Sequence, residues 1–173
     1  MTLVAYVIMA LVVLQRLIEL VYAERNTRAL LARGAVEVGR AHYPFIVALH
    51  AAWLAAIIFM LPTPATIDWL ALAIFVLLQL GRVWVIVTLG PYWTTRIVTL
   101  DGAPLVRKGP YRFVRHPNYL VVAGEIAVLP LVFGELSVCL VFTALNTAML
   151  AWRIRDENSA LATRRVMGAA NLS

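Results

Sequence analysis

The sequence predicts an all-α, polytopic integral membrane protein with five transmembrane helices, the last two forming a tight hairpin. Three observations predict it. Hydrophobic residues make up 62% of the 173 and charged residues only 14%, with a mean hydropathy of +0.85, a balance that calls for a bilayer as solvent. The apolar residues fall into long runs separated by turn residues. Of the 15 Lys and Arg, 13 lie in just three stretches: 23–43, 90–118 and the tail from Arg153.

The elements follow in order. Leu3 to Tyr22 is a first span: it has no basic leader and no small-residue cleavage site, so it reads as a retained helix, not a secretory signal. Phe45 to Leu61 is the second, closed by Pro62 and Pro64. Ile67 to Leu89 is the longest apolar stretch, ended by Gly90-Pro91, and at about 1.5 Å per residue it crosses a hydrocarbon core of about 30 Å. Leu120 to Phe133 is short and contains Glu125 and Pro130, and Gly134-Glu135 turns it into Leu136 to Trp152. A chain this size makes one domain, residues 1–173, with its polar end built from 90–119 and 153–165.

Five crossings put the three basic stretches on one side, which the positive-inside rule makes cytoplasmic, with the N-terminus outside and the C-terminus inside. Because the basic residues flank apolar runs instead of forming an exposed stripe, the charge of +6 indicates membrane topology and not a nucleic-acid partner. Cys139 is the single cysteine, so a disulfide framework is excluded and packing is its expected role. The three His residues show no metal-ligand spacing.

Charged groups inside a span cost about 2.5 to 3.5 kcal/mol each on insertion scales, so each asks for a partner or a use. Arg16 and Glu19 lie one helical turn apart and can pair. Gln15, Glu19, Tyr22 and Asn26 form a polar stripe at helical spacing, suited equally to packing and to lining a site. Asn146, Leu150, Arg153 and Glu157 repeat the pattern in the last span. Glu125, two turns into its short segment, is a candidate general base. His50, a turn before Trp53, is either a packing imidazole or a catalyst.

The densest cluster of chemistry is Gly109-Pro-Tyr-Arg-Phe-Val-Arg-His-Pro-Asn-Tyr119, with Arg153-Ile-Arg-Asp-Glu-Asn-Ser-Ala-Leu161 after the hairpin. These two stretches resemble the signature of the isoprenylcysteine carboxyl methyltransferase family, Arg-His-Pro-x-Tyr and then Arg-Ile-x-x-Glu-Glu-x-x-Leu. Arg115, His116, Pro117 and Tyr119 match the first element, and Arg153, Ile154, Glu157 and Leu161 the second. The match covers about the last third of the chain and places both elements on one membrane side.

The resemblance implies an S-adenosyl-L-methionine-dependent methyltransferase whose cofactor sits at the cytoplasmic face and whose lipophilic acceptor enters from the bilayer. On it, Arg115 or Arg153 meets the cofactor carboxylate, Glu157 the ammonium or ribose, and His116 and Tyr119 the adenosyl part. Pro117 biases His116 to an extended backbone at the start of the fourth segment. Two departures stand out. Asn158 replaces the second Glu of the signature, with Asp156 as an alternative contact, and the tail ends soon after Arg164-Arg165.

In the first half, Arg16-Leu-Ile-Glu-Leu20, Arg25-Asn26, Gly34-Ala-Val-Glu37 and His42-Tyr-Pro44 with His50 and Trp53 look like a bacterial branch of the family associated with type III polyketide synthases. That branch implies O-methylation of alkylpyrones and alkylresorcinols, with a polyketide synthase in the same pathway. A phenolic acceptor benefits from a base, for which Glu125 comes first, then Glu19 or His50; a lipid or prenylated carboxylate needs none. The competing expectations are a phospholipid-type N-methyltransferase, an NADPH-dependent reductase of the related sterol-reductase group, and a membrane adaptor without catalysis.

Overall fold

The computed structural model describes residues 1–100 and 106–170, with side chains of the last helix as far as Asn158. Leu161 and Arg164-Arg165 therefore lie outside the described side chains.

Helix α1 runs Thr2–Ala32, ten residues past the apolar run, because Ala23 to Ala32 holds neither proline nor glycine and is rich in helix formers. It stops where Gly34 takes φ 87° and the Ala35 amide reaches back to the Leu30 carbonyl at 3.1 Å, a glycine-terminated end that satisfies orphan carbonyls. Strand β1, Val36–Val38, follows. A single turn at Arg40–His42 leads into α2, Tyr43–Met60, with Pro44 in its first turn. The Asp68 carboxylate caps α3, Trp69–Leu89, by accepting from the Leu70 and Ala71 amides at 2.9 and 3.0 Å.

Strand β2, Ile97–Thr99, pairs antiparallel with β1 in the register Val36–Thr99, Glu37–Val98, Val38–Ile97. Three-residue strands are too short for alternation to reveal, so the ribbon is an addition to the expected all-α architecture. Helix α4 is Pro117–Val132, and α5 is Leu136–Ala170. Between them Gly134 turns at φ 77°.

Four of the five helices are long and apolar enough to cross a membrane; α4, at 16 residues, is shorter. It packs between α3 and α5. The core joins Ala5, Met9 and Val12 of α1 to Trp53 and Ile57 of α2, Phe75 of α3, and Val122, Ile126 and Leu129 of α4. Leu11, Leu70, Leu77, Val87 and Leu140 face outward, as a lipid-facing surface requires and a water-facing one does not tolerate. The chain is thus a helical polytopic membrane protein.

Candidate functional site

Two polar assemblies occupy this bundle. The first lies among α1, α3 and α4. Arg82 donates through Nε to both oxygens of Glu19 at 2.7 and 2.8 Å and through Nη1 to Glu125 Oε2 at 2.8 Å. Arg16 reaches Glu19 at 3.0 Å and Glu125 Oε1 at 3.0 Å. Gln79 donates to Glu125 Oε1 at 2.9 Å, and Gln15 donates to Gln79 and Glu19 at 2.7 and 2.9 Å. Two guanidiniums and two carboxylates cancel in charge, which makes burial of all four tolerable.

The stripe on α1 is therefore a seam between helices. Gln15 and Glu19 join the ion network. Tyr22 stacks on Trp93 at 5.9 Å, and Asn26 donates to the carbonyls of Gly90 and Trp93 at 3.1 and 2.8 Å. His50 sits apart: Nδ1 donates to the Ile46 carbonyl at 2.9 Å and the ring meets Trp53 edge-on.

The second assembly stands where α4 begins and α5 emerges from the bundle. Tyr119 donates a short hydrogen bond to Glu157 Oε2 and accepts from Arg153 Nε at 2.8 Å. Arg153, buried, also donates to the Thr95 carbonyl at 2.7 Å. The His116 ring stacks on Tyr119 at 5.4 Å, and its Nδ1 lies 3.7 Å from Glu157. Two pairs of side chains distant in sequence thus meet because α5 continues unbroken, placing Arg153 and Glu157 one turn apart on the face toward α4. Pro117 starts α4 as expected, although His116 takes ψ 63° instead of an extended value.

This cluster forms part of the wall of a cavity of about 960 Å³, near the top of the range of about 300 to 1,000 Å³ typical of ligand pockets. Arg115, Asn118 and Asn158 line it, as do Trp93, Arg96 and Tyr111. Asp156, the alternative contact to the missing Glu at Asn158, does not; it faces the other way, 3.2 Å from Nδ1 of the buried His42. Glu19, His50 and Glu125, the expected bases, are likewise not on the lining.

Electrostatics set the cavity's character. Among the described residues, Arg96, Arg107, Arg112, Arg115 and Arg153 share the lining with one carboxylate, Glu157. Burial works against charge on Arg96, but Glu37 at 3.2 Å, Tyr43 and Glu24 outweigh it and hold its pKa above the ordinary value. Burial pushes the Tyr111 phenol up, and Glu157 adds to the shift, so this hydroxyl stays protonated as a donor. Trp93 Nε1, Arg96 Nε, His116 Nε2 and Asn118 Oδ1 are buried without a partner among the described residues. Four such atoms on one cavity's lining residues are an unspent hydrogen-bonding set, the pattern of a polar ligand site.

Sequence reasoning missed Trp93, Arg96 and Tyr111. Arg96 looked like one more inside positive charge, and nothing in its spacing announces the ribbon that folds it over the cavity.

Fold and site together define a multi-spanning membrane protein with a polar ligand cavity at one end of its helices. The chain belongs to the isoprenylcysteine carboxyl methyltransferase (ICMT) family, whose sequence model matches residues 70–163, over half its length and inclusive of both motif elements. It is 35% identical over 161 residues to the uncharacterized protein YpbQ of Bacillus subtilis, covering 90% of this chain and 95% of that one. An uncharacterized protein of Haemophilus influenzae is 31% identical over 144 residues, covering 79% and 83% respectively. No solved structure matches.

Proposed function

We propose that the protein is an S-adenosyl-L-methionine-dependent O-methyltransferase acting on a lipophilic acceptor, with five spans and its cavity at the cytoplasmic face. The observation that carries the reading is the meeting of His116, Tyr119, Arg153 and Glu157 on one cavity wall. The bound cofactor supplies an electrophilic sulfonium methyl. Arg115 pairs with the cofactor's carboxylate; Glu157, oriented by Tyr119, faces its cationic or ribose end. Pro117 fixes the turn that carries His116, and the partnerless His116 Nε2, Asn118 Oδ1 and Trp93 Nε1 offer the donors and acceptors an adenosyl group uses.

Catalysis is chiefly positioning of an acceptor oxygen against the methyl. Glu125 and Glu19, each gripped by two arginines, serve as positioning residues in this reading, and His50 as a packing one. A carboxylate acceptor needs no base. The acceptor class is a phenolic or pyrone polyketide lipid, or a prenylated or lipid carboxylate, with a polyketide synthase as pathway partner in the first case.

One observation favours a second reading. Five arginines on the lining also suit the phosphates of NADPH, as a reductase of the sterol-reductase group would need. Ligand-dependent melting separates the two, because a ligand bound only by the native state raises the midpoint. S-adenosylhomocysteine should raise it and NADPH should not, and His116→Ala or Glu157→Ala should abolish the rise. Stabilisation by NADPH alone would overturn the methyltransferase reading.

A further inference from the structure

The segment just before α4 brings cations and apolar side chains together at the edge of the cavity. Arg107, Lys108 and Arg112 are exposed, and none has a carboxylate partner among the described residues. Phe113 beside them is 74% exposed and Val114 40%. The Arg112 guanidinium stands 6.0 Å from the Phe113 ring.

Position gives this pairing of cations and apolar surface its meaning. Gly109 lies so close to Thr88 that a Cβ there would collide with its hydroxyl, and Thr88 is in the last turn of α3, a helix fit to span the membrane. The turn Gly109–Arg112 is thus pinned at the level where the apolar helix ends, and α4 starts shortly after it, at Pro117. At that depth a guanidinium meets phosphodiesters and an aromatic ring meets the upper acyl region. Arg107, Arg112 and Phe113 also line the cavity, so whatever docks there docks at its mouth.

We propose that Arg107, Lys108 and Arg112, with Phe113 as an apolar wedge, form a docking site for the headgroups of anionic phospholipids at the cavity mouth. The charges supply attraction to the phosphodiester and Phe113 holds the segment in the interface. The site does not depend on the methyl-transfer reading, since it is defined by lipid charge alone.

The test places an environment-sensitive dye at position 113 (Phe113→Cys in a Cys139→Ser background) in lipid nanodiscs. In discs containing phosphatidylglycerol the emission should shift to the blue relative to pure phosphatidylcholine discs. The shift should vanish at about 1 M salt, where the screening length is about 3 Å. Titration with short-chain phosphatidylglycerol should give an affinity that falls on the order of 100-fold when Arg107, Lys108 and Arg112 are all changed to Gln. Counting lipids retained by the otherwise unmodified full chain, by native mass spectrometry, guards against a dye-labelled variant that misfolds: phosphatidylglycerol should be retained over phosphatidylcholine. Emission indifferent to lipid charge, equal retention of both lipids, or a response only to an acidic peptide would overturn the proposal.

Discussion

Arg82 of α3 and Glu125 of α4 face each other at 2.8 Å, both buried, with Glu19 of α1 closing the other side of the guanidinium at 2.7 Å. One cation therefore ties three helices. Removing one partner of such a pair leaves an uncompensated buried charge, which is costlier than deleting the pair. Arg82→Ala should lower stability by about 3 to 5 kcal/mol, read as a loss in the denaturation midpoint in micelles. Replacing Arg82 and Glu125 together with Met and Leu should recover much of it, and a double variant no better than the single would contradict the assignment.

Tyr119 links the two motif elements through one hydroxyl. Tyr119→Phe keeps the His116 stack but releases Glu157 and Arg153, each a hydrogen bond to a charged group and worth about 1.5 to 3 kcal/mol. The affinity for S-adenosylhomocysteine should fall about 10- to 100-fold in calorimetric titration, and the melting point without ligand should fall too, because both bonds are made in the unliganded fold. Unchanged affinity would show that Glu157 needs no orienting partner.

Glu135, in the turn between α4 and α5, has both carboxylate oxygens buried without a partner among the described residues. Burial pushes its pKa up to about 7 from 4.5. The folded state thus binds a proton that the unfolded state has already released, so this contribution to stability is complete below about pH 4.5 and is lost as pH rises through about 7. Midpoints measured from about pH 5 to 8 should decline across that window, and Glu135→Gln should flatten the decline.

Gly39 takes φ 66°, and a Cβ there would run into the His42 ring and press on Asp156. Gly39→Ala should cost more than about 1 kcal/mol, with S-adenosylhomocysteine affinity falling as well. A variant as stable as the parent would show that the His42 contact is free to yield.

Much of this was legible in the sequence because hydropathy and turn residues act locally. The five helices, the hairpin at Gly134-Glu135 and the pairing of Arg16 with Glu19 all follow from residues close in the chain. The helix ends were less legible: α1 and α5 run past their apolar stretches because Ala23 to Ala32 and Arg153 onward form helix as readily in water as in lipid. Arg82 is a charge within an apolar span, but its partners lie 63 and 43 residues away, beyond any local pattern. The same distance hid the ribbon, where Glu37 and Arg96 meet only because α1 overshoots the membrane far enough to deliver β1 to β2.

On α5, consecutive residues face opposite neighbours: Asp156 lies 3.2 Å from Nδ1 of His42, and Glu157 accepts a hydrogen bond from Tyr119. A roll of the helix about its long axis that tightened one of these approaches would loosen the other. Helix α2 contributes nothing to the cavity lining and α1 only Leu30, yet the turn carrying His42 lies against the back of the helix that carries Arg153 and Glu157. A substitution in the turn carrying His42 should therefore act on the cavity wall from outside its lining.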